Sequence, residues 1–384
     1  MNVARVTAVV MKEWREILRD RIYFLLAFFL PIVLMVVFGY GMTQEIDDIP
    51  FAVTDYDRTA LSREYTHRFI ESRYFDFKGH LRSVNQVDTL LTGGDVQFVI
   101  VIPEGFQERL LGGQQTNVQT LMDGALTIPL RTIDGYVEAI NSAATGELQI
   151  EYLSRKQAIS PQRAQNILQP IKLEIRYLYN QELRDIWSVA PSLIMFNLML
   201  SAPMLMALSV VREKEIGTIF NIYASTISRA EYLLGKLIPN VVVSYINGII
   251  LMLMAIYYFG APFKGSTLFF LSALLVYVIC ASCMGLLISL WVKTQMAAII
   301  VTIVSIFVIA MQFSGMLTPV SSMTGVNYFL AHSFPPKYFN DIVSATFLKG
   351  GGLMASWQEL LVLVIFFIGF YTFAYLMFHK RGKT

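Results

Sequence analysis

The charged side chains between Arg212 and Lys236 are the residues of this chain whose types and spacing could do chemistry. They stand at the two ends of one polar segment, between apolar runs that are each long enough to cross a bilayer. The middle of the segment is partly apolar. This pattern predicts a short amphipathic helix on the membrane surface, where another protein can bind and push on it. The charged residues are Arg212, Glu213, Lys214, Glu215, Arg229, Glu231 and Lys236.

Motifs for catalysis or for nucleotide binding are absent from the sequence. Gly235 and Lys236 have the order of a phosphate loop, but Leu237 follows them and no glycine stands five positions before Gly235. No zinc-protease, serine-hydrolase or haem-attachment motif occurs. We predict that the chain is not an enzyme and has no catalytic, metal or nucleotide site of its own. The energy for any uphill movement must then come from a partner.

Two sets of residues that resemble metal ligands have simpler interpretations. Cys280 and Cys283 lie inside an apolar run, so we interpret them as small packing residues. The aspartate and histidine residues after the first apolar run fit no known ligand spacing, and we expect them in turns or at the surface. These residues are Asp55, Asp57, His67 and His80.

Composition places the chain among multi-pass membrane proteins. Hydrophobic residues make up 55% of it, and the net charge of +2 gives no reason to expect a nucleic-acid partner. Several apolar runs are long enough to cross about 30 Å of hydrocarbon. The chain is therefore predicted to be a polytopic α-helical membrane protein with six transmembrane helices. The runs are 22–42, 188–210, 237–259, 267–292, 296–317 and 357–378.

Basic residues predict the orientation of these spans. Lysine and arginine are concentrated in residues 1–21, in segment 212–236 and in the tail 379–384, so both termini are predicted to be cytoplasmic. Residues 1–21 are predicted to form an interfacial helix that leads into an uncleaved first span at 22–42. The predicted apolar face of this helix holds Val6, Val10, Trp14, Ile17 and Leu18.

Residues 43–185 are predicted to form an inserted α/β extracytoplasmic domain. Short strand-like runs alternate with helical ones, and the clearest buried strand is QFVIVI at 97–102. From residue 126 to residue 184 the pattern is helical and polar, which returns the chain to the membrane. Residues 186–378 then complete a five-helix membrane domain.

The spans contain essentially no lysine, arginine, aspartate or glutamate. Ion-driven carriers usually hold charged groups at membrane depth, so a secondary transporter is disfavoured. Two interpretations remain open, namely hydrogen bonds between helices and the lining of a substrate path. Abundant methionine would suit a hydrophobic or amphipathic substrate. The candidates for the path are Asn197, Asn240, Asn247 and Gln312, accompanied by Ser201 and Ser244.

Four segments carry a family resemblance through their order and spacing. They are KEWREILRDRIYFLLAFFLPIVLMVVFG (12–39), PFAVTDYDRTALSREY (50–65), segment 212–236, and FSGMLTPVSSM (313–323) followed by FPPKY (334–338). Together they resemble the membrane subunits of ABC exporters of the type-2 (ABC-2) permease family, in the branch with a large extracytoplasmic domain after the first span. The resemblance covers nearly the whole chain. Phe220 departs from the pattern, because family members often have an acidic residue there.

The resemblance implies a site at which a separate ABC ATPase subunit docks, with ATP and Mg²⁺ held by that subunit. It also implies a re-entrant segment, 318–350, whose Pro319, Pro335 and Pro336 we interpret as an outer gate. The residues that the resemblance assigns to ATPase coupling are Arg212, Glu213, Lys214, Glu215, Gly217, Thr218, Glu231, Gly235 and Lys236.

Partners and location follow from the same resemblance. One chain with six spans is half of the usual assembly, which implies a second permease subunit, identical or similar. The expected location is a bacterial inner membrane, with lipid around the spans and, in view of the large outer domain, a periplasmic adaptor. The expected function is export of a hydrophobic or amphipathic compound. Two alternatives remain open, a mechanotransmitter that moves the outer domain and a membrane scaffold or receptor without transport.

Overall fold

The computed structural model describes residues 2–42, 48–122, 127–157, 160–168, 178–180 and 184–378. The chain divides into two compact units. We call Met1–Thr43 with Tyr177–Thr384 the membrane unit, and Gln44–Arg176 the inserted unit, because it interrupts the first unit in sequence. The predicted tail 379–384 lies outside the described residues, as do 43–47 and 181–183 near the predicted domain boundaries.

The N-terminal part of the membrane unit is helical. Asp20 separates its first two helices and caps the second, since its side chain accepts hydrogen bonds from the amides of Ile22 and Tyr23. The second and third helices and the π-helical turn between them form one candidate span, Arg21–Gly41. The helices are α1 (Val3–Arg19), α2 (Arg21–Phe24) and α3 (Leu30–Gly41), and the turn is Leu25–Phe29.

The inserted unit contains a mixed four-stranded sheet with helices on both faces. Its elements are β1 (Ile49–Asp55), α4 (Ala60–Ile70), β2 (Phe75–His80), α5 (Val87–Gly93), β3 (Phe98–Ile102), α6 (Phe106–Leu111), β4 (Gln119–Met122), α7 (Thr127–Gln157) and α8 (Pro161–Leu168). The strand order is β2-β1-β3-β4, with β1 parallel to β2 and β3, and β4 antiparallel to β3. Alternate residues of β1 face opposite sides: Phe51 and Val53 pack with α4, α6 and α7, and Ala52 packs with α5.

Asp57 fixes the turn after β1 and the start of α6. Its carboxylate accepts hydrogen bonds from the Thr59 hydroxyl (2.6 Å) and from the amides of Phe106 and Gln107 (both 3.0 Å). Partial burial disfavours the charged form, but these hydrogen bonds outweigh it and lower the pKa of Asp57. Asp55 likewise accepts the amides of Asp57 and Arg58, so both aspartates have turn roles.

We therefore expect acid to weaken this turn. The pKa of Asp57 is lower in the folded chain than the unfolded value of about 3.9, so ionised Asp57 stabilises the fold above about pH 4. That contribution is lost as the pH falls through the folded pKa. Asp57→Asn should lower the protection of the Phe106 and Gln107 amides by about 1 kcal/mol near pH 7 and remove its acid dependence. Hydrogen exchange measures this, with the exposed Asp88→Asn as the control; equal protection in both variants would contradict it.

The rest of the membrane unit is a bundle of long helices. Its helices are α9 (Ile186–Ile216), α10 (Ile219–Ala224), α11 (Arg229–Tyr257), α12 (Thr267–Trp291), α13 (Gln295–Gln312), α14 (Val326–His332), α15 (Pro335–Phe347) and α16 (Leu353–Met377). Within the described chain, six helical stretches are long and apolar enough to cross a membrane: Arg21–Gly41, α9, α11, α12, α13 and α16. The predicted fold class, a polytopic helical membrane protein with an inserted α/β domain, is confirmed.

α9 is the central helix of this bundle. Its most apolar window is fully buried, whereas the windows of α13 and α16 are mostly exposed. Gly285 lets α12 approach α9 closely, because a Cβ there would lie 2.3 Å from the carbonyl oxygen of Pro203. The hydroxyl of Tyr277 donates to the carbonyl oxygen of Met195 (3.0 Å), which fixes the level of α12 against α9.

Candidate functional site

The charged segment 212–236 does not form one short amphipathic helix, so that prediction is wrong. α9 continues through Arg212–Glu215 and ends at Gly217, which has a φ of 84°. α10 is a separate helix of six residues, and α11 starts at Arg229, with Ser228 and Glu231 forming a capping box. The charged residues sit on the ends of two long helices because they bind partners on neighbouring elements, including α1.

A buried ion cluster joins α1, α9 and α11. We use that name for Glu13, Glu213 and Lys236, whose residues are only 1–3% exposed. The ammonium group of Lys236 binds the carboxylate of Glu13, lies 3.1 Å from the carboxylate of Glu213, and donates to the carbonyl oxygen of Ser209 (3.0 Å). The Ser209 hydroxyl donates to Glu13. Each helix thus contributes one charged group, and the single cation from α11 binds the carboxylates from α1 and α9.

Lys12 and Tyr232 complete the ion cluster at its edges. Lys12 binds the carboxylate of Glu213, and the Tyr232 hydroxyl donates to the other oxygen of Glu213 (2.7 Å). Partial burial of Lys12 disfavours its charge, but the contact with Glu213 and the nearby Glu16 and Glu13 outweigh this and raise the pKa of Lys12. Lys12 therefore stays charged, and two ammonium groups balance the two buried carboxylates.

The described residues contain one group of carboxylates close enough to hold a metal ion. Ligand atoms of Glu13, Glu16 and Glu213 all lie within 4.8 Å of one another. The ammonium groups of Lys236 and Lys12 already lie among these oxygens, Lys12 being 3.6 Å from Glu16. The geometry thus favours internal lysine cations over a bound metal at this place.

Glu231 ties the starts of two helices together. One carboxylate oxygen accepts the amide of Asn2 (2.6 Å), directly before α1, and the other accepts the amide of Ser228 (2.8 Å), directly before α11. Both are helix N-termini, where a negative charge is favoured. Arg5 adds a hydrogen bond to the carbonyl oxygen of Thr226 (2.7 Å). The N-terminal end of α1 is therefore attached to the loop before α11.

Gly235 lets α1 lie directly against α11. A Cβ on Gly235 would stand 2.5 Å from Cγ1 and 2.6 Å from Cβ of Val9, closer than real side chains approach. Val9, Glu13 and Ile17 form the buried stripe of α1, spaced one helical turn apart. Of the predicted apolar face, Ile17 belongs to this stripe, whereas Leu18 is 72% exposed.

The remaining charges at the end of α9 also bind within the chain. Arg212 pairs with Asp20, and the half-buried Lys214 donates to the carbonyl oxygen of Ser289 on α12. Glu215 is exposed and accepts hydrogen bonds from the backbone amide (3.0 Å) and the side-chain amide (2.9 Å) of Gln295. These contacts attach the end of α9 to α2, α12 and α13.

A short surface remains open to a partner beside the ion cluster. We call Ile216–Ser228 the coupling loop. Ile216 is 63% exposed and Phe220 is 68% exposed, whereas Ile219 between them is buried. Thr218 is also exposed, and Gly217 is partly so. Of the nine residues predicted for coupling, Glu213, Glu231, Gly235 and Lys236 face inward and hold α1, while Gly217, Thr218 and Glu215 lie toward solvent.

Three of the residues predicted for a substrate path lie inside the bundle, with Asn240 and Asn247 about 10 Å apart along α11. Asn197, Asn240 and Asn247 are buried on α9 and α11, and the neighbours Leu198 and Gly248 touch. Asn240 accepts a hydrogen bond from Tyr23, whereas Asn247 has no hydrogen-bond partner within the described residues. The hydroxyl groups of Ser201 and Ser244 have none there either. The fourth residue, Gln312, is exposed at the end of α13 and belongs to a different surface.

The three prolines predicted for the outer gate each lie at the start of a helical segment, but two of them are buried and one is exposed. Pro335 and Pro336 are the buried first residues of α15, where proline is well tolerated. Phe339 of α15 stacks on Tyr277 of α12, with ring centroids 4.1 Å apart. Pro319 is exposed before a single 3₁₀ turn, Val320–Ser322. Segment 318–350 thus holds two short helices rather than one span.

Sequence reasoning missed the contribution of α1 to this site. Asn2, Val9, Lys12 and Glu13 make the contacts described above, whereas none of them is among the residues that the sequence assigns to coupling. The sequence contains a signal for this contribution, because acidic and basic residues of α1 alternate beside its apolar residues. A charge on the buried face of α1 requires a counter-charge on the helix that packs against it.

Comparison with known proteins gives consistent matches over nearly the whole chain. A family model described as ABC-2 family transporter protein matches residues 21–376. The "Probable multidrug ABC transporter permease YbhS" of Escherichia coli (strain K12) is 28% identical over 351 residues, which cover 90% of this chain and 89% of that protein. The "Probable multidrug ABC transporter permease YbhR" is 26% identical over 380 residues, with 98% and 99% coverage. The "Inner membrane transport permease YhhJ" is 23% identical over 374 residues, with 97% and 96% coverage.

Proposed function

The chain belongs to the ABC-2 transporter family, and from this premise we propose that it is the membrane-spanning permease subunit of an ATP-driven exporter. ATP and Mg²⁺ are held by a separate ABC ATPase subunit, since no nucleotide-binding motif occurs in this sequence. The substrate is a hydrophobic or amphipathic compound. Two of the relatives carry multidrug transport in their names, and the interior of the bundle is neutral and rich in methionine.

One observation carries this proposal: the exposed coupling loop lies directly beside a buried ion cluster that joins three helices. A partner that binds Phe220 and Ile216 contacts a loop whose two ends run into α9 and α11. Because Glu13, Glu213 and Lys236 hold these helices to α1, force on the loop reaches all three together. The two-state element is then the packing of α9 and α11 in the bundle.

The substrate path begins from the unsatisfied polar groups between α9 and α11. Asn247, Ser201 and Ser244 are buried without hydrogen-bond partners among the described residues. Such groups cost free energy unless water, a ligand or a second conformation satisfies them. A compound or water that enters between the two helices would satisfy them. Pro335 and Pro336 start the helix that packs across α9 and α12, in the place proposed for an outer gate.

Orientation and assembly complete the proposal. The positive residues of α1 and of segment 212–236 favour cytoplasmic termini and an inserted unit outside a bacterial inner membrane, and the name of YhhJ supports that membrane. A second permease subunit, identical or similar, covers the exposed apolar residues of the outer helices, with lipid around the rest. A periplasmic adaptor binds the inserted unit.

The docking surface is tested by removing its exposed aromatic side chain. Phe220→Ala should reduce the ATPase subunit that co-purifies with the tagged permease about tenfold, because an exposed aromatic at the centre of a docking surface is a typical hot spot. Tyr257→Ala is the matched control, since Tyr257 is 82% exposed at the far end of α11. Equal recovery of the ATPase with both variants would exclude the coupling loop as the docking surface.

A further inference from the structure

A cavity of about 330 Å³ lies beside the ion cluster, between α1, α2, α9 and α13. We call it the interfacial cavity. The spans Arg21–Gly41 and Gln295–Gln312 both begin at its wall, with Ile22 and Met296 among its lining residues. The amphipathic helix α1 forms another wall. The interfacial cavity therefore lies where the membrane surface meets the hydrocarbon layer, and its volume is in the range of small-molecule sites.

The lining of the interfacial cavity combines apolar and acidic side chains. Ile17, Leu26, Leu208 and Ile299 supply hydrocarbon from four different elements. The carboxylates that line it are Glu13, Glu16, Asp20 and Glu215, and the guanidinium group of Arg212 is the one cation among its lining residues. An anionic amphipath would meet repulsion here, and a neutral one would leave the carboxylates unused.

Two of these carboxylates lack a cation of their own. Lys236 neutralises Glu13, and Arg212 pairs with Asp20. Glu16 has only Lys12, at 3.6 Å, and Lys12 also binds Glu213. Among the described residues no ammonium or guanidinium group lies within 4.0 Å of Glu215, whose partner is the amide side chain of Gln295. A ligand with one positive charge would reduce this excess of negative charge.

We propose that the interfacial cavity binds an ammonium group carried on an apolar body. The ammonium group lies between Glu16 and Glu215, and the apolar body lies against Ile17, Leu208 and Ile299. Two sources carry this chemistry, namely an exported amphipathic cation and the amine head group of a membrane lipid. The role of the cavity in loading a substrate rests on the proposed export function, whereas binding to the cavity does not.

Binding is measured on the purified permease without its ATPase, in nanodiscs of phosphatidylglycerol, by equilibrium dialysis of radiolabelled benzyltrimethylammonium. Wild type should bind this cation, and Glu16→Gln with Glu215→Gln together should weaken binding at least tenfold. Glu108→Gln, an exposed carboxylate of the inserted unit, is the control for net charge and should bind as wild type does. Leu208→Trp, which enlarges a buried lining side chain and keeps the charges of the cavity, should also weaken binding. Thermal unfolding verifies that each variant is folded.

Two competing compounds show whether the cavity recognises the positive charge of the probe and whether its natural ligand is a lipid or a soluble amphipath. Neopentylbenzene, the neutral isostere of the probe, should not displace the probe. The proposal is overturned if neopentylbenzene displaces the probe as effectively as the unlabelled cation does. It is also overturned if wild type and the double variant bind the probe equally. If phosphatidylethanolamine added to the nanodiscs displaces the probe, the source is lipid; if not, it is a soluble amphipath. If the cation binds but no ATP-driven export is found, the binding proposal stands and the proposed export function is contradicted. If export occurs and does not depend on Glu16 and Glu215, the role of the cavity in loading a substrate is contradicted and the export function stands.

Discussion

Replacing Lys236 by methionine is expected to destabilise the membrane unit by about 3–5 kcal/mol, because it leaves the carboxylates of Glu13 and Glu213 buried with one fewer cation. Lys12 reaches Glu213 from the edge but does not bind Glu13. The uncompensated charge of Glu13 must then either take up a proton or draw water between α1 and α11. The free energy of unfolding is measured by titration with SDS in mixed micelles, following tryptophan fluorescence.

Two further variants separate the ion cluster from a general effect of losing a lysine. Lys293→Met removes an exposed lysine and should change the free energy of unfolding by less than about 0.5 kcal/mol. Glu13→Gln combined with Lys236→Met removes both charges, so most of the loss should return, since apolar or neutral replacement of a buried pair is often close to neutral. A double variant as unstable as Lys236→Met alone would show that the ion pair is not the cause.

Gly235→Ala is expected to push α1 away from α11. The new Cβ would stand 2.5 Å from Val9, and the contact falls on rigid β-branched atoms rather than on the end of a flexible side chain. Overpacking of this kind costs about 1–3 kcal/mol, partly offset by the better helix propensity of alanine. Because Glu13 lies one turn after Val9 on α1, the displacement should also weaken the ion cluster. The rate of export should therefore fall strongly, whereas the temperature of unfolding should fall only slightly.

Matched variants test this interpretation. Gly369→Ala places a Cβ in open space on α16 and should leave export and stability unchanged or slightly improved. Val9→Gly in the Gly235→Ala background removes the side chain that the new Cβ of residue 235 would contact, and it should restore part of the export. Failure of this second change to help would argue that Gly235 acts through something other than close packing with Val9. Export and thermal unfolding are measured on the same preparations.

The spans and the inserted unit could be predicted from the sequence because their signals are local. Long apolar runs and the alternation of strand-like and helical patterns are each read within one element. The start of α6 could not be predicted in this way. Pro103 indicates a helix start, yet α6 begins at Phe106, because Asp57 from another turn accepts the amides of Phe106 and Gln107. A capping partner that is distant in sequence fixed this boundary.

The site shows the same division between local and distant information. The charges in segment 212–236 indicate a polar region between two spans. The direction in which each charged side chain points depends on partners far away in the chain. Lys236 faces inward because Glu13, more than two hundred residues earlier, lies opposite it. Phe220 has no such partner and remains exposed. Residue type indicates that an ion pair is required, and only the packing of α1 against α11 shows where it is formed.

ATP-driven uptake into inside-out membrane vesicles that contain the permease and its ATPase subunit shows whether the ion cluster transmits the movement that drives export. A panel of hydrophobic and amphipathic compounds is assayed with wild type, Lys236→Met and Lys293→Met, and the amount of bound ATPase is measured in each. We expect ATP-dependent uptake with wild type and with Lys293→Met, and loss of uptake with Lys236→Met while the ATPase remains bound. Equal uptake by Lys236→Met would contradict transmission through the ion cluster, and ATP hydrolysis without uptake of any compound would contradict the exporter function.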